Sequence, residues 1–418
     1  MECIIIVMLQ CCRQLNHSIV RHLFFSILFV SLMSCLHSFG QPAIRTTEMR
    51  AVWIATIDNI DWPERPTINS EELKASFIRL LDLHQSNGMN TLIVQIRPSA
   101  DALYPSAYEP WSQWLTGKQG QPPVPLFDPL EFMISETHKR GMEFHAWLNP
   151  YRAVFNIYNA SIAPDHVTKL HPDWFVTYGD KKYFDPSNKD AQQYVVDVVK
   201  DVVQRYKVDA IHIDDYFYPY PIPGKPFPDA AAYAKYGNNL SLEDWRRSNV
   251  DSIIYQLHTA IKQTNPGCQF GVSPFGVWRN IDKDPRGSKT KAGPTNYDYL
   301  YADILLWLQK GWVDYVAPQL YWEIGHKVAP FEVLVDWWSK NTYGKNCYIG
   351  LAIYRTGTNK AWSDSSQLTR QMDLIRQNPN IQGMIFYSSK SFEKNRGGLN
   401  EVIRLNYFNT PADPPKIK

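Results

Sequence analysis

Two adjacent carboxylates, Asp214 and Asp215, close the short apolar run 208–213 and are followed at once by Tyr216, Phe217, Tyr218 and Pro219. Two carboxyl groups in one cleft can cleave a glycosidic bond. One donates a proton to the leaving oxygen while the other attacks or activates water. Aspartates at this position also serve as helix caps or loop ion pairs, because Asp favours both settings. The aromatic residues that follow favour the functional reading. Strand alternation puts Ile211 and Ile213 on one face and His212 and Asp214 on the other, so Asp214 should point into a barrel or crevice and Asp215 should open the following loop. A third carboxyl, Glu323, follows the apolar segment 315–319. Burial would raise its pKa enough to make it the proton donor; left in solvent it is an ordinary loop glutamate. Asp101, after another apolar segment, is a further acid candidate.

The same alternation, applied to the other apolar runs, gathers polar and aromatic groups at their C-terminal ends. Arg97 follows Gln95 on one face; His145 and Asn149 share another, with Tyr151 and Arg152 just beyond. Gln319, Tyr321 and Trp322 precede Glu323, and two later runs end in Tyr354-Arg355 and Tyr387-Ser388-Ser389. A lone Arg97 reads equally as a barrel-lining ion-pair partner, and a lone His145 as a satisfied core histidine. Their coincidence at one end is the stronger signal. The expected substrate-binding set is Arg97, Asp101, His145, Asn149, Tyr151, Arg152, Tyr216, Gln319, Tyr321, Trp322 and Tyr354, with Asp214, Asp215 and Glu323 catalytic.

Eight strand candidates could carry these groups: 51–56, 91–96, 143–148, 210–214, 270–273, 315–319, 348–353 and 383–387. Between them lie helical patterns. Ser70 opens one, with Leu73, Phe77, Leu80, Leu81 and His84 on a single face and Gly88 as the stop. Asp128-Pro129 opens a second, ending at Gly141. Val195, Val196, Val199 and Val203 line a third, and Ser241 to Asp244 begin a fourth with a variant capping box. Further helices are expected over about 297–310, 331–340, 366–377 and 399–405. Eight β-α units in series predict a (β/α)8 TIM barrel over residues 47–405, with active groups at the C-terminal ends of the strands. The loops after the second, third and fourth strands are long and aromatic-rich, so they should wall an extended cleft suited to a polymer. A C-terminal tail covers 406–418, and its Pro- and Lys-rich stretch from Pro411 to Lys418 is expected to fray.

The 418-residue chain has a formal net charge of +2 and no long basic run, which argues against nucleic acid as a partner. Aromatic content of 14% is compatible with a carbohydrate ligand. Of six cysteines, only Cys268 and Cys347 lie in the body, without a CxxC or Cys/His spacing, so two buried free thiols are expected and no metal or cofactor is implied. Residues 1–40 resemble an export signal. Arg13, Arg21 and His22 precede the apolar run 23–33, which is too short for a comfortable span, and Ser38-Phe39-Gly40 forms a small-x-small cleavage site before Gln41. Leu32-Met33-Ser34-Cys35 also resembles a lipoprotein box, which would anchor the protein through Cys35. Either reading puts the mature chain outside the cytoplasm, in the periplasm or on the outer membrane of a Gram-negative bacterium.

Five blocks are similar to the signature blocks of glycosyl hydrolase-like family 10: Glu48 to Thr56, Gln95 to Tyr104, Ala146 to Arg152, Ile211 to Pro219 and Ala317 to Trp322. The resemblance covers roughly residues 47–390 and implies a (β/α)8 glycosidase of exported bacterial type, with activity on peptide-free glycan strands of peptidoglycan among its members. The Asp-Asp block also resembles barrels that cleave poly-N-acetylglucosamine. Besides a hydrolase of another polysaccharide, two other readings compete. One is a non-catalytic glycan-binding envelope barrel. The other is a metal-dependent deacetylase that would use the Asp pair and His145 as ligands.

Overall fold

The structure, a computed structural model, describes residues 45–417. Among the described residues, eleven strands form two sheets. Eight are parallel and close into a barrel: β1 (Met49–Ile54), β2 (Thr91–Arg97), β3 (Glu143–Leu148), β7 (Ala210–Ile213), β8 (Gln269–Val272), β9 (Tyr315–Val316), β10 (Asn346–Leu351) and β11 (Gly383–Phe386). The hydrogen-bonded order β1-β11-β10-β9-β8-β7-β3-β2 returns to β1, so the TIM barrel expected from the alternation is the fold. The remaining three, β4 (Arg152–Val154), β5 (Phe175–Tyr178) and β6 (Lys181–Phe184), make a small antiparallel sheet in the long loop after β3.

Helices follow each barrel strand: α1 (Ser70–Ser86), α2 (Pro129–Lys139), α3 (Lys189–Arg205), α4 (Leu242–Thr264), α5 (Ile304–Lys310), α6 (Phe331–Lys340), α7 (Ser366–Gln377) and α8 (Leu399–Asn406). Their starts follow local chemistry. Asn69 accepts from the N–H groups of Glu71 and Glu72 at the head of α1, and Asp128 accepts from those of Leu130 and Glu131 at the head of α2. Ser241 accepts from the Asp244 N–H at the head of α4, as its capping pattern predicts. The single helix expected over 297–310 is instead broken. Tyr301 takes φ +53°, its hydroxyl accepts from Arg246, and Asp303 caps a new start. The loop after β8 therefore runs long as well, a fourth wall of the cleft beyond the three expected.

Outward residues of the strands, such as Val52, Leu92, Phe144 and Ile211, pack into the large core shared with the helices. Inward residues form a second cluster that includes Trp53, Ile93, Trp147, Tyr315, Tyr348 and Ile385. The Tyr315 ring lies against β8 so closely that a Cβ on Gly271 would sit 1.9 Å from its Cζ. Only glycine leaves that ring its place. The Tyr315 hydroxyl then bridges His212 Nδ1 at 2.9 Å and His145 Nδ1 at 3.0 Å. Trp53 Nε1, a donor only, is 3.3 Å from His212 Nε2, so the His212 proton sits on Nδ1 and the chain of donors runs towards His145.

The floor of the barrel corrects the expectation of a frayed tail. Thr47 bridges Asp413, Glu48 N donates to Asp413 O, Asn90 Nδ2 donates to Ala412 O, and Asn346 Nδ2 donates to Lys416 O. The tail supplies acceptors that the strand starts need, so it is clasped there. Cys268 and Cys347 are buried free thiols, as expected. The export-signal and Cys35 readings lie outside the described residues. No helix among the described residues is long and apolar enough to cross a membrane.

Candidate active site

Asp214 stands one residue beyond β7, on the inward face that alternation predicted. It is 4% exposed, as is Asp215. Asn149 Nδ2 donates to both Asp214 oxygens at 3.1 and 3.0 Å, Trp147 Nε1 donates at 3.2 Å, and the Tyr216 N–H approaches at 3.4 Å. Both donor side chains come from the end of β3, the strand beside β7. Arg152 adds positive charge. Burial raises the Asp214 pKa, and Arg152, Asn149 and Trp147 oppose that rise. Asp215 has fewer donors. Tyr220 donates to it from across the following loop, and Gln319 also faces it. Burial first, and then the Asp214 charge, push the Asp215 carboxyl up to about 6. Two adjacent carboxyls in unequal surroundings can thus hold one proton between them at mildly acidic pH.

Around the pair stands an aromatic wall. Tyr216 lies under the Arg152 guanidinium, 4.6 Å from its ring centroid, and edge-on to Tyr220. Tyr321 feels the Asp215 charge and packs against Tyr387 and Tyr354 at 5.9 and 6.1 Å. Trp322 packs on Phe275 behind them. Asn149, Arg152, Tyr216, Gln319 and Tyr321 therefore gather at the Asp pair, with Tyr354 and Trp322 at its edge. Glu323 directly follows Trp322 in the chain and is 26% exposed, with Arg355 3.7 Å from its carboxylate. Among the described residues it shares no hydrogen bond with the pair.

Four expected binding residues are placed elsewhere. Arg97 is buried against Glu109, with Nε 2.9 Å from both carboxylate oxygens, and also holds the Asn149 carbonyl. Its donors are occupied in shaping the β3 loop. His145 is fully buried deep in the barrel between Tyr315 and Glu143, because it lies only two residues into β3. That distance from the strand end also denies the Asp pair the histidine that a deacetylase metal site would need. Tyr151 faces outward, fully buried in the helix-side core. Asp101 is fully buried, accepting from the Ser99 N–H and from Gln119 Nε2, and fastens the loops after β2 and β3.

A sequence model of the family described as Glycosyl hydrolase-like 10 matches residues 48–365. This chain belongs to the glycosyl hydrolase-like 10 family. Relatives agree with that placement. Glycosyl hydrolase YngK of Bacillus subtilis (strain 168) is 46% identical over 407 residues, 96% of this chain and 79% of the relative. Glycosyl hydrolase DigH of Escherichia coli (strain K12) is 39% identical, over 83% of this chain and 84% of its own. Among solved structures, the PgaB glycoside hydrolase domain of Bordetella bronchiseptica shares the fold with a TM-score of 0.55 at 13% identity, over 86% of this chain and 99% of its own. The β-amylase catalytic domain of Paenibacillus polymyxa does so with a TM-score of 0.57 at 12% identity, over 88% and 99%.

This glycosyl hydrolase-like 10 chain is a glycoside hydrolase. Its site holds residues that alternation alone did not single out. Trp147 carried the signal, since it shares the inward face of β3 with Asn149. Tyr220 carried none, because a loop five residues long returns it to Asp215. Asp61, which ties the Ala55 N–H to the Ser388 hydroxyl and the Lys390 N–H, joins the first and eighth loops of the family's barrel and is pushed up to about 6 by burial.

Proposed function

We propose that this protein cleaves a β-linked amino-sugar polymer, the glycan strands of peptidoglycan freed of peptide, with Asp214 as nucleophile or base and Asp215 as the proton donor. The observation that carries this reading is the unequal environment of two carboxyls on consecutive residues at the C-terminal end of β7. Asp214 has two side-chain donors and a nearby guanidinium to hold its anion, whereas Asp215 is pushed up to about 6. Glu323, the donor favoured by position in the sequence, is paired with Arg355 and partly exposed. Arg152, Asn149, Tyr216, Gln319 and Tyr321 bind the sugar beside the bond that breaks. The export-signal reading of residues 1–40 supports work outside the cytoplasm, free in the periplasm or anchored at the outer membrane through Cys35.

The test is turnover of peptide-stripped glycan strands. Asp214→Asn and Asp215→Asn should each lower kcat by about 10²–10⁴-fold. Glu323→Gln should retain most activity. Full activity in both aspartate variants would remove the mechanism, and a collapse confined to Glu323→Gln would return the acid role to that residue. Binding without turnover would favour the envelope-scaffold reading.

A further inference from the structure

Beside the aromatic wall, the loops after β10 and β11 enclose a recess of about 240 Å³. Tyr354, Thr356 and Tyr387 line it together with three cations, Lys390, Lys394 and Arg396. The side chains of those cations make no hydrogen bond within 3.5 Å and no ion pair within 4.0 Å among the described residues. The neighbouring acids do not occupy them. Asp61 is spent on Ala55, Ser388 and the Lys390 backbone, and Glu393, which faces Lys390, is not among the lining residues. A second observation points inward. Thr356 is 2% exposed, yet its Oγ1 has no hydrogen-bond partner among the described residues. A buried hydroxyl left without a partner costs free energy unless a ligand or water completes it. Tyr354 and Tyr387 both contact Tyr321, which faces Asp215, so the recess and the carboxylate pair share one wall.

We propose that this recess is an anion-binding subsite, which takes the carboxylate of an acidic sugar residue in the polymer, beside the residue cleaved at the Asp pair. The proposal rests on the hydrolysis reading above and adds to it a requirement on the substrate. The two tyrosine rings offer faces to the sugar C–H groups. Arg396 offers a planar fork to the carboxylate, Lys390 and Lys394 add charge, and the Thr356 hydroxyl supplies a donor. Joining that carboxylate to a peptide through an amide bond removes the charge and adds bulk, so the subsite selects strands on which it is free.

The test compares two forms of one peptide-stripped glycan preparation with the full chain: carboxylates intact, and carboxylates reduced to primary alcohols through carbodiimide activation and borohydride. The wild-type kcat/KM should favour the intact strand by about tenfold, as expected for a lost charge-assisted contact. That ratio should shrink as salt is raised. In the double variant Lys394→Gln/Arg396→Gln it should fall to about one. A wild-type ratio of one, or a double variant that keeps the wild-type ratio, overturns the subsite. The Asp214→Asn protein separates the two claims by calorimetric titration with the same strands. Tighter binding of the intact strand, with no turnover of either by wild type, upholds the subsite and removes the hydrolysis reading. Equal turnover of both strands does the reverse.

Discussion

Tyr220 and Asp214 act on Asp215 in opposite directions. The phenol hydrogen bond favours the carboxylate, whereas the neighbouring negative charge and burial favour the acid. If Asp215 is the proton donor, kcat/KM falls as pH rises through about 6. Tyr220→Phe removes a donor to the anion, so the alkaline limb of the pH profile should move up by about 1 unit. A limb that stays in place would assign it to another group. Asp101 gives a stability prediction with a definite sign. Burial pushes its carboxyl up to about 7 in the folded protein. Its stabilising contribution is fully present below the unfolded pKa and is lost as pH rises through the folded value. Asparagine does not titrate. The stability of Asp101→Asn relative to wild type should therefore grow by about 4 kcal/mol between roughly pH 4 and 7, whatever its constant offset. Thermal melts across that range check it, and a flat difference would show the carboxyl to be ordinary.

At the scale of elements, β8 and β9 are joined by few ladder pairs, and the contact between Gly271 and Tyr315 does much of their fitting. Gly271→Ala should destabilise the barrel by about 3 kcal/mol through overpacking, read as a lower unfolding midpoint. It should also disturb the two histidines that share the Tyr315 hydroxyl. The barrel strands were legible because period-two apolar runs bounded by turns leave few alternatives, and all eight candidates overlap observed strands. The β5–β6 hairpin was not singled out, although Gly179-Asp180 forms its two-residue turn with φ +68° at the glycine. Its strands are too short and polar for alternation to register. The end of β3 was half legible. Asn149 and Trp147 reach Asp214, but His145, on the same face, sits too far from the strand end, and Tyr151 leaves the barrel as the chain turns.

For the whole molecule, closure depends on a buried cluster beneath the barrel. Glu48 accepts from Arg50 Nε at 2.9 Å and from Arg376 at 2.9 and 2.7 Å, while Arg50 also donates to the Thr410 carbonyl of the tail. One carboxylate therefore links β1, α7 and the C-terminal segment. Glu48→Ala leaves two guanidiniums short of their partner and should cost about 3–5 kcal/mol in chemical denaturation. Truncation after Asn409 should destabilise as well. The two changes share Arg50, so their effects should fall short of additivity in the double variant. Strict additivity would mean that the tail is held independently of the ion cluster.

The order of strands and helices, the barrel, the inward direction of Asp214 and the two buried thiols follow from local patterns: alternation, caps and apolar runs act over a few residues and leave their mark on the sequence. The partners of each charged group do not. Whether Arg97 meets a sugar or Glu109, whether His145 lies at the mouth or the middle of the barrel, and that Tyr220 reaches Asp215 all depend on contacts between distant segments. Burial and neighbouring charge set the protonation of a carboxyl, and both arise only when the strands close around it.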